Sequence, residues 1–304
     1  MPSRLTTGLI VCFWLATTGL IFYRDFWPRL AANTPPPWQI DLVDEATSRV
    51  PVRWLIYRGN EKLGSLTTEL RYVESDDTFW FDNTYRELKF DFDRITVWIP
   101  EAETGVRVTR HGDLREQTLR GSLEIRLRQG GIPMTLARAK AEIGGVVRDG
   151  WLHSLCRISS SFTAPLEREL EPVSVPSGQV LNPMMPVSRL RDIRPGQRWV
   201  IRRVDPLGQA LRLAMTDLAK QHFPLGSISG SLGSGTTPEL VATVRSAPEL
   251  LRRRNGQSVL CWVIDYRSGP NDAEASTWVS VEGTRVLRQE ASWQGERLRF
   301  ERVD

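Results

Sequence analysis

Apolar and charged side chains alternate with period two over Leu119–Arg128 and again over Ala137–Ile143. In the first stretch Leu123, Ile125 and Leu127 are set against Glu124, Arg126 and Arg128. In the second Ala137, Ala139, Ala141 and Ile143 are set against Arg138, Lys140 and Glu142. Successive side chains of a strand point to opposite faces, so this is the pattern of strands with one buried face. Strands of parallel sheets are buried on both faces and read as continuous apolar runs, so the alternation implies a largely antiparallel sheet. The alanines at the inward positions leave room against a neighbour or a ligand.

Much of the chain follows the same rule. Val52–Tyr57 reads as a strand, Arg58-Gly59-Asn60 as a turn, and Lys62–Val73 as the returning strand. Leu88, Phe90 and Phe92 alternate on even positions, whereas Ile95, Val97 and Ile99 alternate on odd ones. That phase change predicts a bulge or turn near Asp93-Arg94. Val106–Arg110 reads as a separate short strand and Trp151–Phe162 as another. Pro165–Gly196 changes texture and leaves room for a subdivision near 165–195, with a short helix at Val187–Ile193. Trp199–Val204 is a strand. Leu207, Leu211, Met215 and Leu218 fit one face of a helix begun by Asp205-Pro206. Gly226–Thr237 is low in complexity and reads as a loop. Val259–Tyr266, Ser276–Val281, Thr284–Ala291 and Arg297–Val303 form a meander that ties the chain end into the sheet. The fold class is therefore mainly β (α+β): a large curved antiparallel sheet with one or two helices, over residues 50–304.

Ahead of this domain, Leu5–Tyr23 carries no charge, although charged residues make up 25% of the chain. A helix of 19 residues rises about 28 Å, close to the hydrocarbon thickness of a bilayer. The exit, Tyr23-Arg24-Asp25-Phe26-Trp27-Pro28-Arg29, is bulky and charged, unlike the small-residue end of a cleaved signal peptide. Residues 1–30 are thus expected to be a retained membrane anchor. Leu5, Gly8, Phe13, Trp14, Leu20 and Tyr23 lie in the spanning helix, and the C-terminal domain lies outside the cytoplasm at the inner membrane. Residues 31–49, with Pro35-Pro36-Pro37, form a stiff spacer.

Several function classes lose support. Net charge is only +4 with a pI of about 9.2, which argues against nucleic-acid recognition. Basic residues are mostly arginine, read as codon usage. His111, His153 and His222 stand apart, so neither a metal cluster nor a general base is indicated, and no cofactor is expected. Cys156, His222 and Asp265 occur in an order a nucleophilic triad permits, but Cys156 lies in a strand-like stretch, not at a helix N-terminus. Gly230–Gly235 lacks the strand-turn-helix setting of a serine nucleophile and the Lys of a phosphate loop. Asp76, Asp77, Asp82, Asp91 and Asp93 are candidate carboxylates for glycoside chemistry. Asp91 and Asp93 alternate with Phe90 and Phe92, which places them on a solvated face.

The text STWVSVEGTRVLRQEASWQGERLRFERV resembles the last strands of bacterial envelope proteins, namely the lipoprotein carriers of the outer-membrane localisation system and related families. The pattern rests on Trp278, Val279, Gly283, Val286, Leu287, Arg288 and Glu290. Val52–Ser65, with Trp54, Gly59 and Gly64, resembles the first hairpin of such domains. The resemblance implies a curved antiparallel sheet that cradles helices or acyl chains. This chain is longer, and its Thr163–Val259 segment is additional.

Three further expectations follow. Arg126, Arg128, Arg138 and Lys140 share the outer face of a hairpin, a solvated face or an anion-binding patch, with Glu124 and Glu142 as available counter-ions. Cys156 and Cys261 could close a disulfide in an oxidising compartment; two separately buried thiols are the favoured alternative. Arg252-Arg253-Arg254 reads as a solvated turn. The sequence thus describes a non-catalytic, anchored envelope protein whose sheet binds a lipid-like ligand, an envelope polymer or a membrane-protein partner. A scaffold without small ligand and an unfamiliar hydrolase near Met184–Asp205 are the alternatives.

Overall fold

The structure, a computed structural model, describes residues 13–20, 51–92, 95–110, 112–129, 132–161, 165–175, 190, 193–201, 240–269, 273–293 and 296–303. Sixteen strands occur among them, joined in one sheet. The first nine are β1 (Val52–Arg58), β2 (Glu61–Val73), β3 (Thr78–Phe92), β4 (Ile95–Thr109), β5 (Leu114–Gln129), β6 (Ile132–Arg148), β7 (Trp151–Ser160), β8 (Leu166–Glu169) and β9 (Val173–Ser174). The others are β10 (Arg198–Ile201), β11 (Leu240–Val244), β12 (Glu249–Arg252), β13 (Ser258–Arg267), β14 (Ala275–Ser280), β15 (Val286–Trp293) and β16 (Glu296–Val303). All the strand pairings among the described residues are antiparallel, as the period-two alternation requires.

The spatial order is β10-β11-β13-β14-β15-β16-β1-β2-β3-β4-β5-β6-β7-β8, with β12 on β13 and β9 on β7. The last strand therefore pairs with the first, Tyr57 opposite Arg299 and Trp54 opposite Arg302. The C-terminal meander and the N-terminal hairpin become one continuous surface through this contact.

The two resembling segments have physical reasons for their spacing. Trp54 is fully buried in the larger core. Gly59 has φ +58 in the β1–β2 turn, a conformation costly for a side chain with Cβ. A Cβ on Gly64 would lie 2.7 Å from the Arg86 carbonyl oxygen, so that position admits only glycine without backbone movement.

The chain differs from its reading in three places. Val106–Arg110 is not a separate strand: β4 runs unbroken from Ile95 to Thr109 through Pro100. Arg86 faces Glu101 and Leu88 faces Ile99, so Pro100 lies opposite Glu87, which has φ +56. Both strands change face at this one point, so a proline there does not end the strand. Residues 93–94 lie outside the described residues, but β3 and β4 pair down to Phe92 and Ile95 on either side. Strands β8 and β9, in the stretch read as changing texture from Pro165, and strands β11 and β12 were not foreseen. Read helices at Val187–Ile193 and 205–221 and the loop Gly226–Thr237 lie largely or wholly outside the described residues.

Two apolar clusters share the inner face. The larger joins Trp54, Leu66 and Phe300 to Trp199, Ile201, Leu240 and Ile264, so the β10–β11 edge packs back over β1–β3. The second joins Leu70, Phe79, Phe81, Val106, Val108 and Leu114 to Leu152 and Val175. Residues 13–20 form a helix with Phe13, Trp14, Leu15 and Leu20 exposed. Among the described residues no helix is long and apolar enough to cross a membrane, and the rest of Leu5–Tyr23 lies outside them.

Candidate functional site

Strand register defines the site. One cross-strand row on the inner face runs Trp54, Leu66, Tyr85, Ala102, Gly121, Ala141, Ile158, from β1 to β7. Directly opposed residues share a face, so this row is a profile of bulk across the sheet. Three large side chains fill the core, three small ones follow, and Ile158 closes the far side. The next rows toward the β3–β4 and β5–β6 turns stay small on β6 but carry large side chains on β5. Leu123 faces Ala139, which faces Ser160, and Phe90, Val97, Ile125 and Ala137 stand in one line.

The result is a shallow trough floored by Ala102, Gly121, Ala137, Ala139 and Ala141, with Tyr85, Leu123 and Ile125 on one side and Ile158 and Ser160 on the other. Floor and walls are only half-buried, and at the open end Ile95 and Met134 are 41% and 51% exposed. Successive same-face rows are about 7 Å apart. Four rows therefore give a length of roughly 20 Å, that of an extended acyl chain. Gly121 also serves the sheet: a Cβ there would come within 3.1 Å of the Ala102 Cβ, where β4 and β5 shift register.

At its inner end the trough meets polar side chains. Thr68 donates to Asn83 Oδ1 at 2.9 Å, and Asn83 Nδ2 donates to Thr104 Oγ1 at 3.4 Å. Thr68 and Asn83 are both buried. Beyond them Leu119, Ile143, Cys156, Ile158 and Leu170 pack together and close that end.

The outer face of the same strands is ionic. Two open clefts of about 520 and 650 Å³ lie side by side there and share Glu103, Arg120 and Glu142. Their charges are locally neutralised: Arg71 bonds Asp82 (Nε to Oδ2 2.8 Å), Arg120 bonds Glu142 (2.6 Å) and Arg157 bonds Glu167 (3.0 Å). The Arg120 hydrogen bond lowers the Glu142 pKa, and Arg157 does the same for Glu167. These are solvated cross-strand ladders.

The expected cationic patch is placed but divided. Arg126 stacks over Trp98, 4.0 Å to the ring centroid, and donates to Glu124 at 2.7 and 3.1 Å. Arg138 reaches the same carboxylate at 3.1 Å. Glu124 thus bridges the pair and offsets one of its two charges, while Glu142 is committed to Arg120. Of Arg128 only its place opposite Pro133 is described. Lys140 is exposed beside the second cleft. A guanidinium stacked on tryptophan and bonded to glutamate has little left to offer an anion.

Cys156 and Cys261 are free thiols buried apart, Cys156 on β7 and Cys261 on β13 against Leu251 and Leu287. Burial pushes the Cys261 thiol to about 11 and raises Cys156 as well. Both are packing residues, the favoured alternative to a disulfide. The structure does not bring Cys156 to Asp265 either, which holds Arg245 and Ser276; His222 and His111 lie outside the described residues, and His153 is exposed on β7. The aspartates are engaged separately: Asp76 by Thr78 and Arg107, Asp77 by Tyr72 and Arg110, Asp82 by Arg71 and Trp80, Asp91 by Lys89 and Thr96. Asp93 lies outside the described residues. Of the anchor residues Phe13, Trp14 and Leu20 are in the described helix; Leu5, Gly8 and Tyr23 are not described.

The segments that resemble envelope carriers meet in one ionic network on the outer face. Trp278 faces Arg288 across β14 and β15, with the guanidinium 5.7 Å from the ring centroid. Arg288 donates to Glu301 at 2.9 Å, and Arg254 and Arg299 crowd the same carboxylate and the Tyr57 ring. Arg253 donates to the Arg302 carbonyl oxygen at 2.8 Å, so the turn that follows Arg252, the last residue of β12, is pinned to the sheet and not freely solvated. The register shift between Trp278 and Val279 places Leu287 and Arg288 together above Cys261, where they roof a small apolar cluster.

Comparison with known proteins gives little. No family model matches the chain, and no curated protein matches it. A solved structure, a beta-barrel-like protein of a domain of unknown function (DUF1849) from Brucella abortus, is similar over 84% of this chain and 97% of that one. Identity is 8% and the TM-score 0.31, too low to carry over function. The large antiparallel sheet agrees with the architecture that the sequence resemblance implies, and no family is established by it.

Proposed function

We propose that the inner trough holds the hydrocarbon chain of a lipid-like ligand, and that the chain is a non-catalytic, membrane-anchored envelope protein. The observation that carries this is the row from Trp54 to Ile158, in which bulk vanishes at Ala102, Gly121 and Ala141 and returns at Ile158. Small apolar side chains that stay half-exposed between large ones offer width and contact area without a filling residue. Burying one methylene there contributes about 0.8 kcal/mol, so a chain of a dozen carbons has ample driving force. The charge-free Leu5–Tyr23 stretch supports the anchoring, and with the proline spacer it holds the sheet within short reach of one bilayer. No part of the reading requires a cofactor or nucleic acid.

The test is native mass spectrometry of the full chain after extraction. The wild type carries a near-stoichiometric acyl lipid, and Ala139→Trp, which fills the floor, loses it while keeping its melting temperature. Bare protein masses for both would sink the proposal. A scaffold with no small ligand is the second reading, and it gains from the cross-strand ion pairs of the outer face.

A further inference from the structure

Exposed apolar side chains gather at one rim of the sheet. Leu250 on β12 and Leu260 on β13 are directly opposed and share a face. Val281, just past β14, donates its backbone N–H to the Leu260 carbonyl oxygen at 2.9 Å and extends that row by one strand. The three are 68%, 46% and 37% exposed, although the next row of the same face, Trp262 and Val279, already packs into the larger core. Single exposed apolar residues are ordinary, whereas a contiguous row marks a contact surface. Arginine flanks the row. Arg252 stands two residues past Leu250 on the same face, Arg285 lies in the turn after Val281, and both are exposed. Directly behind the rim Arg254, Arg288 and Arg299 share Glu301, at 3.5, 2.9 and 3.2 Å, so one carboxylate serves three guanidiniums. Glu282 in the turn and Glu290, 3.8 Å from Arg288, offset two further charges, and Glu249 beside Leu250 is bonded to Arg245. The row is thus an apolar edge in cationic surroundings. β1 begins at the same end of the strands, with Arg53 facing Val303, so the segment that follows Leu5–Tyr23 enters the sheet there.

We infer that this rim seats the domain on the surface of an anionic bilayer, with Leu250, Leu260 and Val281 in the interfacial layer and Arg252 and Arg285 against lipid phosphates. The inference rests on the anchored reading above and adds orientation. The tether supplies proximity, and the rim decides which end of the strands meets the lipid. Apolar side chains that enter the headgroup boundary, flanked by basic residues at phosphate level, are the elements of interfacial binding. Ser65 faces Arg86, so β3 and β4 run on past the far end of β1 to their turn, and β5 and β6 run with them. The open end of the trough, at Ile95 and Met134, therefore points away from that bilayer.

The experiment reconstitutes the full chain into nanodiscs of phosphatidylcholine, or of phosphatidylcholine and phosphatidylglycerol mixed equally, and follows amide hydrogen exchange. Amides of residues 250–260 and 281–285 should exchange about tenfold more slowly in the anionic discs, and about 0.5 M salt should erase most of the difference. Arg252→Gln combined with Arg285→Gln should remove the same protection and keep the melting temperature. Leu250→Ser should reduce it about threefold. Residues 88–99, at the opposite strand ends, should exchange alike in both lipids. A chain that stays in the discs but shows no lipid-dependent protection at the rim overturns the inference and leaves the anchored reading standing. Protection that appears at residues 88–99 instead also overturns it, as does protection that grows with the number of chains per disc, the mark of a second copy. A chain that the discs do not retain overturns both.

Discussion

Arg245 grips Asp265 in a two-pronged contact, Nε to Oδ2 and a terminal nitrogen to Oδ1, each 2.9 Å. The carboxylate is only 5% exposed and also accepts from Ser276 at 2.8 Å. The pair joins the end of β11 to β13 and β14, where the packed-back edge leaves the meander.

Burial alone would raise the Asp265 pKa, but the hydrogen bonds from Arg245 and Ser276 outweigh it and the net shift is downward. A carboxyl whose folded-state pKa is depressed stabilises the fold fully above its unfolded value, about 3.9. That contribution is lost as pH falls through the depressed folded value. Asp265→Asn should therefore flatten the acid limb of the stability profile below about pH 4. Arg245→Ala, which strands the buried charge, should cost about 2–3 kcal/mol at neutral pH, less than for a wholly buried pair because Arg245 is partly solvated. Urea unfolding at several pH values reads both.

Gly64→Ala tests the first hairpin. The added methyl meets the Arg86 carbonyl at 2.7 Å and a Leu88 methyl at 2.9 Å, and a backbone atom gives way poorly. A loss of about 2–3 kcal/mol is expected from overpacking of this kind. Gly144→Ala, with nothing within 4 Å of the new carbon, is the control and should stay within about 0.5 kcal/mol.

Tyr85 and Tyr266 should be late in an alkaline titration. Burial raises both phenols to about 12. Because these folded values lie above the unfolded value near 10, the associated stability is complete below pH 10 and declines as pH rises toward 12. Absorbance at 295 nm should show two tyrosines ionising only in that upper range, together with unfolding. Tyr85→Phe removes one of them.

Ser154→Ala addresses an orphan. Ser154 Oγ is buried with no hydrogen-bond partner among the described residues, and it lies over Gly145, where a Cβ would approach it to 2.6 Å. Removing an unsatisfied buried hydroxyl should be neutral or stabilise by about 1 kcal/mol. A melting temperature several degrees lower would instead mean that the hydroxyl is satisfied by water.

Strand identity was legible wherever one face is dry and the other wet. Leu123, Ile125 and Leu127 against Glu124 and Arg126 could only be a half-buried strand, and the alanine row of β6 already marked the floor of the trough. Val106–Arg110 was read as a separate strand, whereas β4 runs on through Pro100; that continuity depends on the partner residue Glu87, which local pattern does not reveal. β11 and β12 were missed because each pairs with only part of β13, and Arg245 at their junction interrupts the alternation. The trough itself needs register: Ala102, Gly121 and Ala141 come from three strands, and nothing local says that they align. The cationic patch was legible as composition, but Trp98 and Glu124 decide its chemistry, and that too is a matter of register.

The central claim, that the inner face holds an acyl chain, is tested most directly by a dodecanoyl ester carrying a diazirine near the chain end. After photolysis and digestion of the full chain, labels should fall on the inward residues of β5–β7, above all Leu123, Ala139 and Ile158, and excess unlabelled ester should suppress them. Labels confined to the outer clefts around Arg120 and Glu142, or spread without competition, would contradict the account.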